Sequence, residues 1–292
     1  QISSYDLNAP EWAEISDDDF MWQEQEPYIA GEFVWTGFDY LGEPTPYNNK
    51  FVKSLGFTDE EASRSSYFGI VDLVGIPKDR YYLYKSHWKP EETTVHLLPH
   101  WNWQGMEGKT IPVFAYTNGD HGELFVNGVS QGMKYKNPNS TTSTERYRLI
   151  WPDVIYEPGE IKFIAYKDNQ IIGEKIRKTA AKPHHLLVSM NNNELHSDDD
   201  KLVFMTIEAY DIDNNPCPLA DNLIQINTQG PVEIAGVGNG NPQSFEPFLT
   251  DQVRLFYGKA VVILKSHEIQ GIGQIELKSE GLISETLSIK IN

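Results

Sequence analysis

Three carboxylates, Glu32, Asp39 and Glu43, flank a tryptophan, Trp35. Two carboxyl groups roughly 5 Å apart, one with a raised pKa, can cleave a glycosidic bond with retention of configuration. An indole beside them can stack on the apolar face of a sugar ring. The run Tyr28–Thr36 (YIAGEFVWT) is apolar, β-branched and aromatic, bounded by Pro27 and Gly37, and reads as one buried strand. Its period of two puts Phe33 and Trp35 on one face and Glu32, Val34 and Thr36 on the other. Trp35 then stands at the carboxyl end, where barrel sites are built. Glu32 cannot meet a sugar stacked on Trp35 without a bulge. Asp39 and Glu43 fall beyond the strand, within reach of sugar hydroxyls. The same spacing also fits a core tryptophan followed by turn residues.

Other reactive groups are scattered. His96, His100 and Trp101-Asn102-Trp103 form a cluster (VHLLPHWNW) with no third ligand at zinc spacing. It fits inter-domain packing, or a carbohydrate-binding face if the rings are exposed and coplanar. His184-His185 has no obvious partner. Asp198-Asp199-Asp200 and Asp211–Asn215 are loose calcium-loop patterns, the second more simply a hairpin turn. Gly236–Asn241 is glycine-rich but lacks the following helix that a phosphate cradle needs. Asn139-Ser140-Thr141 matches the N-glycosylation triplet, a pattern common by chance. The single Cys217 rules out an internal disulfide and a cysteine metal cage. No metal or cofactor is expected.

The elements that must position these groups fall into three zones. In residues 1–90, an acidic helix runs to about Gln25, capped by Ser16 or Asp17, before the strand. Leu41–Phe57 reads as loop, and Asp79–Trp88 as a helix packed by Tyr82. A helix, one buried strand and another helix cannot close a barrel or a sheet. This zone therefore packs against something outside the sequence or begins inside a domain. Residues 91–182 and 183–292 carry short β-runs separated by turn signals such as Asn118-Gly119, Asn127-Gly128 and Pro158-Gly159. Each reads as an antiparallel sandwich, joined at Lys182-Pro183.

With 24 Lys+Arg against 42 Asp+Glu the net charge is −18, which disfavours nucleic acid and anionic membrane surfaces as partners. No apolar run approaches the about 18 residues of a membrane span. The first ten residues show no signal-peptide pattern. Aromatic residues make up 12%, more than a core alone requires, and sugar stacking is one use for them.

Four stretches carry a family likeness: Gly31–Tyr47 (GEFVWTGFDYLGEPTPY), Ser65–Trp88 (SSYFGIVDLVGIPKDRYYLYKSHW), HLLPHWNW with YTNGDHGELFVNG, and Ala220–Phe248 (ADNLIQINTQGPVEIAGVGNGNPQSFEPF). They resemble the C-terminal portion of bacterial, Bacteroidetes-type β-galactosidases of glycoside hydrolase family 2. The resemblance implies a mainly β chain: residues 1–90 as the C-terminal remnant of a (β/α)8 barrel, then immunoglobulin-like sandwiches over 91–182 and 183–292. It implies a retaining glycosidase whose acid/base and nucleophile glutamates lie upstream of Gln1, so that no catalytic residue is expected in this chain. Trp35 matches the strand-8 tryptophan that walls the galactosyl subsite, and Asp39 and Glu43 become rim residues. Ser66 and Phe68 stand where glucuronidases of the family carry an Asn-x-Lys pair, which favours a neutral sugar. Phe68 also replaces a metal-binding Asn known in some galactosidases. The implied partners are a β-galactoside and the upstream part of the same chain, with a homo-oligomer left open. The alternatives are a non-catalytic carbohydrate-binding module, or a β-mannosidase or β-glucuronidase parent. The family style favours a periplasmic or extracellular location.

Overall fold

The computed structural model describes residues 7, 9, 12–45, 49–58, 61–195, 202–267 and 269–292, with the side chains of Asn49 and Phe51 excepted. The Asp198-Asp199-Asp200 run lies outside the described residues. The described residues are mainly β. It divides into two compact units, Gln1–Thr179 and Ala180–Asn292.

The first unit opens with α1 (Ser16–Gln25), β1 (Tyr40–Leu41), α2 (Asn49–Ser54), β2 (Ser65–Ser66) and α3 (Asp79–Trp88). It continues through β3 (Val95–Leu98), β4 (Val113–Thr117), β5 (His121–Val126), β6 (Val129–Tyr135), α4 (Ser143–Tyr147), β7 (Leu149–Trp151), β8 (Glu160–Lys167) and β9 (Gln170–Lys178). Two sheets, β3-β4-β7 and β6-β5-β8-β9, share one apolar cluster that includes Leu97, Val113, Leu124, Trp151, Ile161 and Phe163. Alternation on β8 sends Ile161, Phe163 and Ala165 inward. Strand β4 is buried at every position, because the opposite face of its sheet is covered by the helices. There Phe114 and Tyr116 pack with Phe20 of α1 and Leu83 and Tyr84 of α3.

Helix α1 is fastened by charge as well as by Phe20. Asp17 and Arg148 form a fully buried bidentate pair, with Nε donating to Oδ1 at 2.7 Å and Nη2 donating to Oδ2. Ser143 donates to Asp18 at 2.5 Å, and Arg146 pairs with Glu24 at 2.5 Å. Three of the acidic residues of this helix, Asp17, Asp18 and Glu24, are thus engaged by the segment around α4. The helix begins one residue earlier than a Ser16 cap requires. Ile15 is the N-cap, no side chain caps it, and Ser16 and Asp17 lie in the first turn. Lys78 is the N-cap of α3, also without a side-chain cap.

The second unit contains β10 (His185–Met190), β11 (Glu194–Leu195), β12 (Val203–Tyr210), β13 (Leu223–Gln229), β14 (Val232–Gly238), β15 (Gln252–Arg254), β16 (Lys259–Ser266), β17 (Gly271–Lys278) and β18 (Glu285–Ile291). Sheets β10-β12-β16-β14 and β11-β18-β17-β13-β15 enclose one cluster built from Met205, Ile207, Ile226, Val262, Ile275 and Ile289. Asp211 is a turn residue. Its Oδ1 accepts from the Asp213 and Asn215 amides at 3.0 and 2.8 Å, and its Oδ2 from the Ala181 amide at 2.8 Å.

Removing one partner of a buried ion pair strands the other charge, at a cost of about 3–5 kcal/mol. All seven tryptophans lie in the first unit, so indole fluorescence reports that unit alone. Arg148→Met should lower its unfolding free energy by that amount, seen as a urea midpoint at least about 1 M lower. An unchanged midpoint would show that the Asp17 pair does not fasten α1.

Candidate functional site

The segment Tyr28–Gly37 is the point of interest, because it belongs to no sheet. Its side chains alternate as expected: Glu32 and Val34 are half-buried, whereas Phe33 is fully exposed and Trp35 is 71% exposed. It is therefore not the buried strand that its apolar composition suggests. Among the described residues, no other strand lies beside Gly31–Trp35, and its backbone joins no hydrogen bond of any turn, loop or ladder. Pairing begins only past Trp35: the Ile70 amide donates to Thr36 O at 3.1 Å, the Val71 amide to Gly37 O at 3.0 Å, and the Asp39 amide to Val71 O at 2.9 Å.

Trp35 stands at the end of this segment against Tyr40, edge to face, with ring centroids 6.4 Å apart. Tyr40 leads into β1, which pairs antiparallel with β2. Its hydroxyl donates to Glu43 Oε2 at 2.5 Å, so the structure brings Glu43 to the Trp35 corner. Asp39 is placed differently. Its side chain is 1% exposed; Oδ1 accepts from Lys78 Nζ at 2.7 Å and from the Gly69 amide at 2.9 Å, and Oδ2 is buried without a partner. Burial raises its pKa above the usual carboxylate range, against the pull of Lys78. Gly69 is required here. A Cβ at that position would lie 2.3 Å from the Asp39 nitrogen and 2.4 Å from the Phe38 carbonyl carbon. Ser66 and Phe68 are both buried.

A cleft of about 490 Å³ runs beside the unpaired segment, lined by Trp12, Asp19, Glu32, Phe33, Arg80 and Tyr84 among others. Glu32 Oε1 is buried there without a hydrogen bond. Burial and then the neighbouring Asp19 charge push Glu32 up to about 7. Burial, Glu14 and Asp18 push Asp19 up to about 6. Sequence spacing gave no sign of this coupling, because Asp19 and Glu32 lie on separate elements.

The VHLLPHWNW cluster is packing. Trp101 is fully buried, with its indole donating to Glu157 O at 2.9 Å. His100 stacks on Trp103 at 4.6 Å, and burial pushes it down to about 4. His96 bonds Asp79 at 2.7 Å and stacks on Tyr82 at 4.0 Å, tying α3 to β3. Among the described residues, no three His, Cys, Asp or Glu side chains gather to hold a metal ion.

The chain is similar to known proteins over most of its length. Residues 186–288 match the family described as "Glycoside hydrolase family 2 C-terminal domain 5", and residues 108–173 match a "Domain of unknown function (DUF4982)". The chain is 40% identical over 288 residues to the β-galactosidase BoGH2A of Bacteroides ovatus, covering 98% of this chain and 31% of that protein. The chain belongs to glycoside hydrolase family 2. A solved β-glycosidase from Bacteroides vulgatus superimposes with a TM-score of 0.82 at 35% identity, covering 94% of this chain and 32% of that one. A β-glucuronidase of Formosa agariphila is 26% identical over 254 residues, 85% of this chain and 23% of that protein. The chain thus spans less than a third of the length of these glycoside hydrolase family 2 relatives.

The raised Glu32 sets a pH dependence. The folded chain keeps the proton up to about pH 7, whereas an ordinary glutamate loses it near 4.5. Stability therefore falls as pH rises through that window. In Glu32→Gln the loss between pH 5 and pH 8, read from urea midpoints by indole fluorescence, should shrink by about 1 kcal/mol after solvent screening. A slope identical to the parent chain would contradict the assignment.

Proposed function

We propose that this chain is the C-terminal part of a retaining exo-β-galactosidase. Residues 1–90 supply the last strand of a (β/α)8 barrel, and residues 91–182 and 183–292 form two immunoglobulin-like accessory sandwiches. The supporting observation is the unpaired segment Gly31–Trp35. An apolar extended run whose backbone has no partner among the described residues, a fully exposed Phe33 and helices packed on its other side is what the closing strand of a barrel becomes without its neighbours.

The chemistry would run on two carboxyl groups upstream of Gln1. One protonates the glycosidic oxygen while the other attacks the anomeric carbon, giving a covalent glycosyl-enzyme that water then hydrolyses with the first group acting as base. Glu32 is not one of them, because it lies on the opposite face from Trp35. Trp35 would stack on the apolar face of the galactosyl ring, and Glu43 would lie on the rim. Asp39, held by Lys78 and Gly69, would support the loop that carries them. Ser66 and Phe68 offer no cation for a uronate carboxylate, which favours a neutral sugar. The second reading is a β-glucuronidase, the name carried by a relative from Formosa agariphila.

The full-length protein should hydrolyse an aryl β-galactoside with retention, and residues 1–292 alone should not. Trp35→Ala in the full-length protein should cut kcat/KM about 10-fold or more, about 1.4 kcal/mol of transition-state binding. Wild-type-like hydrolysis by 1–292 alone, or preference for a β-glucuronide, would overturn the proposal.

A further inference from the structure

An indole that is mostly exposed has little packing to hold its plane, and a side chain that turns freely must be immobilised when a ligand stacks on it. Among the described residues, no backbone ladder runs through Trp35 to steady it. Its neighbour Tyr40 is the opposite case. Tyr40 pairs with Ser66 across β1 and β2, and the Asp39 amide just before it is bonded to Val71. Its ring lies edge to face against the buried Phe68 at 6.3 Å, and Phe68 in turn against Trp12 at 5.8 Å. Its hydroxyl is fixed by Glu43 at 2.5 Å.

We infer that Tyr40 is a positioning residue for Trp35: anchored at its backbone, its ring and its hydroxyl, it sets the plane of the indole on which the sugar stacks. Glu43 acts through Tyr40, its Oε2 accepting from the phenol. The Tyr40 phenol is protonated across neutral pH in any case, and the Glu43 hydrogen bond raises its pKa further. The inference rests on the reading of Trp35 as a sugar platform, but the geometry it invokes lies within this chain.

The test uses residues 1–292 labelled at the indole nitrogens, with the Trp35 resonance identified by its loss in Trp35→Phe. Tyr40→Phe keeps the ring and removes only the hydroxyl; Glu43→Ala removes its partner. Both should displace or broaden the Trp35 indole resonance and leave those of Trp101 and Trp151 in place, which also certifies folding. A Trp35 resonance unmoved in both variants overturns the inference. In the full-length protein, Tyr40→Phe should raise KM for an aryl β-galactoside by about threefold or more, with kcat within about twofold. An unchanged KM there also overturns it. If the full-length protein cleaves no β-galactoside, the proposed activity fails, while the resonance experiment still decides the role of Tyr40.

Discussion

Backbone amides and carbonyls demand partners, and Gly31–Trp35 has none among the described residues. This constraint organises the first unit. Phe33 and Trp35 are exposed, whereas Val34, on the other face, is packed against the cluster of Phe20, Leu83 and Tyr84. The segment is therefore complete on its helix face and open on the other.

The helix face is held because the accessory sheet holds the helices. Phe114 and Tyr116 of β4 give α1 and α3 an apolar floor, and Asp17–Arg148 and His96–Asp79 pin them. The Asp17–Arg148 pair is withdrawn from water, so it sets the placement of α1 more than it adds stability. The sheets of β3–β9 are thus a scaffold for α1 and α3, and this accounts for a first compact unit that runs on to Thr179. The tether of Asp39 to Gly69 and Lys78 carries the same rigidity to the far end of the segment, where Tyr40, Glu43 and Trp35 meet.

Much of this was legible in the sequence where burial writes a pattern. The helices ending at Gln25 and spanning Asp79–Trp88, and strands such as Glu160–Lys167 and Glu285–Ile291, follow from periodicity and turn residues. Strands β6 and β9 were not legible. They are sheet edges, mostly exposed, with little alternation, and only the turns before them, with positive φ at Asn127 and Gly128 and at Asp168 and Asn169, betray the hairpins. Helix α2 lay hidden in a stretch rich in Asn and Pro. At the site, the spacing placed Trp35 at the end of its segment, and the two-residue period was visible. The Tyr40–Glu43 bond and the burial of Asp39 were not, because each depends on the Ser65–Gly69 segment, far along the chain.

Hydrogen exchange of the Gly31–Trp35 amides tests the central claim most directly. In residues 1–292 alone these amides should exchange nearly as fast as an unstructured chain, while those of β4 are strongly protected. In the full-length protein they should become protected to the level of β4, as both edges of the strand acquire partners. Strong protection in the isolated chain, or fast exchange in the full-length protein, would contradict the account.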